Sequence, residues 1–220
     1  MSGVTAVATT HDEPHATGHA TGGISNPILG MILFICSEVM FFAGLFAAYF
    51  NVRATAPVWP PIASPNSIPV VTPELAARFD LHSEPWFALI LTILLVISSF
   101  TCQLGVWAIR RGDRRGLVRA IGLTLVLGIA FLIGQAYDYS QLGFGLASGP
   151  FGSTFFTLTG FHGAHVFAGA IMLSVVLYRA MSGQFSEKHH DAVEATSLYW
   201  HFVDVVWVCL FSILYIIPSK

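Results

Sequence analysis

Charge is scarce in this sequence. Of its 220 residues only 10% are Asp, Glu, Lys or Arg, against about 25% in an ordinary soluble domain. A chain so poor in ions cannot clothe a globular surface, which excludes a soluble enzyme. A disordered chain, which needs low hydrophobicity and high charge, is excluded with it. There is no basic excess either: 10 Lys and Arg face 12 Asp and Glu. A phosphate backbone would meet no cationic face, so nucleic acid is not a partner. Cysteine is equally sparse. Cys36, Cys102 and Cys209 each fall inside an apolar run, too few and too buried for a disulfide framework. The sequence has no nucleophile elbow, phosphate loop, CxxC pair or carboxylate cluster, so no catalytic centre and no metal site is visible. It also lacks the internal repeat from which inverted-repeat transporters are built.

What is abundant is apolar sequence, 55% of the chain. A spanning helix needs about 20 mostly apolar residues, and five stretches meet that length: about 28–50, 86–109, 118–138, 154–178 and 196–218. The alternation of a membrane β-barrel is not seen. The fold class is therefore all-α, a polytopic transmembrane bundle of five spans in one domain over residues 26–220. Residues 1–25 are polar, contain His11, His15 and His19, and have no Lys or Arg and no apolar core. This is expected to be a disordered tail rather than a secretory signal.

Lys and Arg set the orientation. The tail and the connections at 110–119 and 179–195 hold seven of them, and the opposite side holds three, Arg53, Arg78 and Lys220. The N-terminus is expected in the cytoplasm and the C-terminus outside. The outer segment 51–85 carries seven of the eleven prolines. Their fixed φ angles and missing donors predict an extended, ordered cap.

Ionisable side chains inside the spans are costly, about 3 kcal/mol or more for a charge at the bilayer centre. Glu38, His162, His165, His201 and Asp204 must therefore find partners or face protein. Glu38 and His165 each lie one residue from the middle of their spans, hence at the same depth, and a shared hydrogen bond is expected. His162 and His165, three apart, are expected on one helix face. His201 and Asp204 are also three apart, in the cytoplasmic half of the last span, and suggest an interhelical or subunit clamp. Imidazoles can ligate haem or copper, but no convergent ligand set forms here, and packing or hydrogen bonding is the reading of the residues. The residues alone leave open a small transporter using Glu38 as its ion site.

Three strings go further: Gly30-Met-Ile-Leu-Phe-Ile-Cys-Ser-Glu-Val-Met-Phe-Phe42; Gly152-Ser-Thr-Phe-Phe with Gly160-Phe-His-Gly-Ala-His-Val166; and Tyr199-Trp-His-Phe-Val-Asp-Val-Val-Trp207. In this order they resemble subunit III of haem–copper oxidases, and specifically cytochrome c oxidase subunit III. Weaker matches are Trp59-Pro-Pro61, Gly112-Asp-Arg114, Gln135 with Asp138, and His189-His190. The resemblance implies a subunit without haem or copper of its own, in the plasma membrane of a bacterium. It would pack on the haem–copper catalytic subunit I, beside the copper-bearing subunit II, in a proton pump that passes electrons from cytochrome c to oxygen. Bound phospholipid and support of proton uptake are implied too. Glu38 matches the family's buried carbodiimide-reactive glutamate and His165 its hydrogen-bonding partner. Arg179 matches a lipid-phosphate ligand and Phe34 a residue lining the lipid site. Full-length members have seven spans, and the first two have no counterpart here. Val106 and Trp107 replace a family His-His pair. Subunit III of quinol oxidases is the nearest alternative; Glu38, Trp59-Pro-Pro61 and Tyr199-Trp200 favour the cytochrome c branch.

Overall fold

The structure, a computed structural model, describes residues 25–56 and 85–217. The expected tail up to residue 24 and the proline-rich cap over 57–84 lie outside the described residues. Five helices long and apolar enough to cross a membrane make up the described chain, and no strand occurs among the described residues. They are α1 (Asn26–Thr55), α2 (Trp86–Arg110), α3 (Arg114–Gln141), α4 (Pro150–Met181) and α5 (Asp191–Phe211). A π-helical turn, Ser212–Ile216, ends α5.

Each helix begins and ends where local chemistry allows. Pro27 and Pro150 occupy first-turn positions, where the missing N–H costs nothing. The turn between α2 and α3 needs a left-handed residue, supplied by Gly112 with φ 76°. Asp113 then caps α3, its carboxylate accepting the Gly116 N–H at 2.9 Å. The helices run longer than the apolar stretches predicted. In particular, α1 continues through Asn51–Thr55, so the outer loop begins later than residue 51. No residue in that segment breaks the helical ladder before the prolines begin.

Lipid tails are as apolar as leucine, so close packing and hydrogen bonds, not water exclusion, hold such helices together. α5 is the centre. Half of its most apolar stretch is buried, against 6% for α1. Its Trp200 fills a slot made by two glycines. A Cβ at Gly128 of α3 would stand 2.6 Å from the indole, and one at Gly169 of α4 2.8 Å. Neither position tolerates a side chain without moving the ring. Trp200 Nε1 donates to Ser98 Oγ and Trp207 Nε1 to Thr92 Oγ1, both at 2.9 Å, stitching α5 to α2. Thr101 and Thr124 join α2 to α3 at 2.8 Å. α1 buries only Phe42, Tyr49 and Arg53 and leans on α4 and α5 from outside.

The cysteines differ from expectation. All three are free, and only Cys102 is buried; Cys36 and Cys209 are exposed. An apolar run marks membrane depth, not the inward side of a helix.

Candidate functional site

α1 and α4 meet through a polar contact at mid-length. His165 Nε2 lies 2.9 Å from Glu38 Oε2. The other ring nitrogen, Nδ1, is 2.7 Å from the Phe161 carbonyl. A carbonyl can only accept, so Nδ1 carries a hydrogen. The contact with Glu38 then holds one further proton, on the carboxyl or on the imidazole. Either way the pair has no net charge, which suits it to apolar surroundings. The Phe42 ring stands 4.9 Å from the imidazole and Phe41 6.2 Å. Tyr199 of α5 donates its hydroxyl to the His165 carbonyl at 3.2 Å. His165 and Glu38 keep 16% and 19% of their side-chain surface. The pair thus sits in the outer wall of the bundle, within reach of small apolar reagents from the lipid side.

His162 turns elsewhere. Three residues separate two side chains by about 60° around a helix, enough to send His165 to α1 and His162 into the core. His162 is fully buried, 4.9 Å from the Trp207 ring and 5.8 Å edge-on from Phe131. Neither of its nitrogens has a hydrogen-bond partner among the described residues. It packs as an aromatic ring, and the two histidines do not share a site.

His201 and Asp204 also diverge. His201 Nδ1 contacts Ser99 Oγ at 2.5 Å and Nε2 contacts Gln103 Oε1 at 3.2 Å, both on α2. Asp204 is buried, and neither carboxyl oxygen finds a hydrogen-bond partner among the described residues. Ser99 borders Asp204 as well, without a hydrogen bond of good geometry. Ser99 and Gln103 were not anticipated. Uncharged polar residues in a span carry little signal by themselves; their spacing of four, which puts both on one helix face, was the available clue.

The two residues matched to lipid contacts lie apart from these. Arg179, at the end of α4, donates from Nε to Gln184 Oε1 at 2.9 Å and stands 4.8 Å over the Phe185 ring. It lines a cleft of about 210 Å³ with Lys188 and His189. Phe34 is exposed on α1 and stacks on Tyr199 at 6.1 Å. Another unanticipated cluster closes the α2–α5 contact at the same end. Glu194 accepts from Arg110 Nε at 2.8 Å and lies 3.1 Å from His190 Nε2. An acid in the first turn of α5 and a base in the last turn of α2 were its signal. Among the described residues no three His, Cys, Asp or Glu converge on a metal-binding position.

Comparison with known proteins shows what the whole chain is similar to. The family model described as cytochrome c oxidase subunit III matches residues 8–219. A relative from Synechocystis sp., named cytochrome c oxidase subunit 3, is 40% identical over 97% of this chain and 86% of its own length. One of that name from Corynebacterium diphtheriae is 44% identical over 86% and 87%. A third, from Thermostichus vulcanus, is 36% identical over 97% and 94%. Relatives matched so fully leave too little sequence over for two more spans of about 20 residues each.

Proposed function

The chain belongs to the cytochrome c oxidase subunit III family, and from that premise we propose that it is the non-redox third subunit of a proton-pumping terminal oxidase working between cytochrome c and oxygen. Haem and copper then reside in partner subunits I and II, and this chain stabilises the catalytic subunit, holds phospholipid and supports proton uptake. Its place is the plasma membrane of a bacterium, N-terminus in the cytoplasm and C-terminus outside, in line with the seven-to-three division of Lys and Arg. Residues 26–220 act as one unit behind a polar tail.

The observation that carries the reading is the Glu38–His165 contact at 2.9 Å. It is an ionisable pair complete within the chain, with no redox ligand set around it. The proton in that contact can sit on either partner without changing the net charge of the site. Such a pair suits positioning near a proton path and does not suit electron transfer. Arg179 and Phe34 are the residues assigned to phospholipid: a guanidinium at the membrane edge for the phosphate and an exposed ring for the acyl chain.

Purification in mild detergent tests the assignment. The chain should come away with haem-bearing partners, and its own band should hold neither haem nor copper. A stable preparation of this chain alone, active in ion transport and free of haem proteins, contradicts it. A reporter fused after Lys220 should be active only outside the cytoplasm.

A further inference from the structure

Five of the chain's ten Lys and Arg stand between residues 110 and 119. Arg110 is bridged to Glu194. Three of the others, Arg114, Arg115 and Arg119, line one cleft of about 390 Å³ between the start of α3 and the end of α4. That volume lies within the range of small-ligand sites, roughly 300–1,000 Å³. With Val118 the three arginines follow the spacing i, i+1, i+4, i+5, which puts all four on one face of the helix. Val118 and the buried Ala180 make the cleft's apolar back, and the exposed Met181 stands on its far side. Gly183 leaves room for the arginines. Its left-handed φ of 71° turns the chain as α4 ends, and a Cβ there would lie 3.2 Å from Arg114 Nη1.

None of the three guanidinium groups has an ion-pair partner among the described residues. The neighbouring acid, Asp113, is spent on the Gly116 N–H. Like charges on adjoining rows of a helix repel, so the cluster is short of an anion. Orienting the span requires only arginines on the correct side of the membrane, at any rotation; it does not require three of them in one cleft. The surface beyond the cleft narrows the anion down. Arg115 and Arg119 head a stripe in which Val126 and Ile133 follow within about 40° of the same rotation, and these are 62% and 66% exposed. On α4, Met181 heads a stripe continued by the exposed Tyr178 and Phe167. A ligand with an anionic head and apolar tails matches both parts. A free inorganic anion leaves the stripes unused, and an acidic polypeptide loop has no such tails.

We infer that this cleft binds the phosphate of an anionic phospholipid, whose acyl chains lie against the exposed stripes of α3 and α4. Guanidinium forks match phosphate oxygens in pairs. The site is separate from Arg179, which turns to Gln184 and Phe185 in another cleft. Only the choice of leaflet, the cytoplasmic one, rests on the orientation proposed above, and the reporter after Lys220 tests that separately.

Photolabelling of the assembled oxidase in vesicles tests the inference. Phosphatidylglycerol and phosphatidylcholine, each with a photoreactive group near the headgroup end of an acyl chain, are supplied in separate experiments. Phosphatidylglycerol should label segments 114–126 and 171–181 about tenfold more than phosphatidylcholine does, as several arginines around one anionic headgroup imply. Excess unlabelled phosphatidylglycerol should abolish that label, and inorganic phosphate at the same concentration should not. Arg115→Gln with Arg119→Gln should lower it about tenfold. Arg110→Gln with Arg111→Gln removes the same charge at the same end but outside the cleft, and should leave it within about twofold, since exposed charges at a distance are screened. Equal labelling by the two lipids in the wild type overturns the inference, whether or not any variant assembles. Equal losses in the two double variants overturn it too, because the effect is then one of general surface charge. Displacement by inorganic phosphate makes the cleft a site for a free anion and contradicts a lipid. p-Benzoylphenylalanine at Met181 should give lipid adducts; adducts only to a partner subunit mean that protein covers the cleft, and the inference falls. Absence of haem proteins from the preparation would fail the subunit III reading and not this one, which is read from lipid alone.

Discussion

Two faces of this bundle place a carboxyl group at mid-membrane depth, and they treat it in opposite ways. On the α1–α4 side, Glu38 meets His165 at 2.9 Å, and the imidazole is itself fixed by the Phe161 carbonyl and flanked by two phenylalanines. On the α2–α5 side, Asp204 has a histidine three residues away in sequence, yet that histidine spends both nitrogens on Ser99 and Gln103. The first site is complete in one chain and the second is not. A buried carboxyl bonded inside its own subunit serves that subunit. The contrast also explains why sequence proximity misleads in helices: neighbours three apart diverge by about 60°, while residues 127 positions apart meet at 2.9 Å.

The largest effect should come from breaking the complete site. His165→Leu strands Glu38 and should destabilise the purified subunit by about 1–3 kcal/mol, the cost of orphaning a buried polar group. Glu38→Leu combined with His165→Leu should cost less than the sum of the single variants, since neither partner is then left behind. Equal additive losses in detergent unfolding would dissolve the pair as an energetic unit. At Asp204, buried without a hydrogen-bond partner among the described residues, the same kind of substitution should do little to the chain alone. Asp204→Leu removes a group with no bond to lose, so its stability should change by less than about 0.5 kcal/mol or rise. A loss as large as that of His165→Leu would mean that the chain itself satisfies Asp204, and the two faces would no longer differ. The smallest effect belongs to the membrane edge. Arg110 is 52% exposed in its bridge to Glu194, and Glu194→Ala should cost at most about 1 kcal/mol, shrinking further with added salt.

How much of this was readable beforehand follows from what sequence encodes. Depth is written in it, because an apolar run of fixed length places its middle at the bilayer centre. That is why five spans, the all-α class and the likeness in height of Glu38 and His165 came from the residues alone. Helix rotation is barely written in a span surrounded by lipid, since no polar face marks the outside. Hence Cys36 and Cys209 turned outward, His162 went to the Trp207 ring, and Ser99 and Gln103 took His201. The slot for Trp200 was equally hidden: Gly128 and Gly169 lie 41 residues apart on different helices, and only their packing on one indole reveals a purpose. The ends of helices fell between the two cases. Gly112 and Asp113 mark the α2–α3 turn by their chemistry, whereas the continuation of α1 to Thr55 has no signal except the absence of a breaker.

The central claim is that this chain supports the oxidase's chemistry without carrying it, and Glu38→Gln tests it most directly. The amide keeps the shape and the hydrogen-bonding capacity of the carboxyl but cannot exchange a proton. In the assembled, membrane-reconstituted oxidase, oxygen consumption should be followed from the first turnovers until activity decays. The account predicts normal assembly and a modest change, either slower proton uptake or a faster decline during turnover. Complete loss of oxygen reduction in a fully assembled Glu38→Gln complex would contradict it and make this glutamate an obligatory proton carrier.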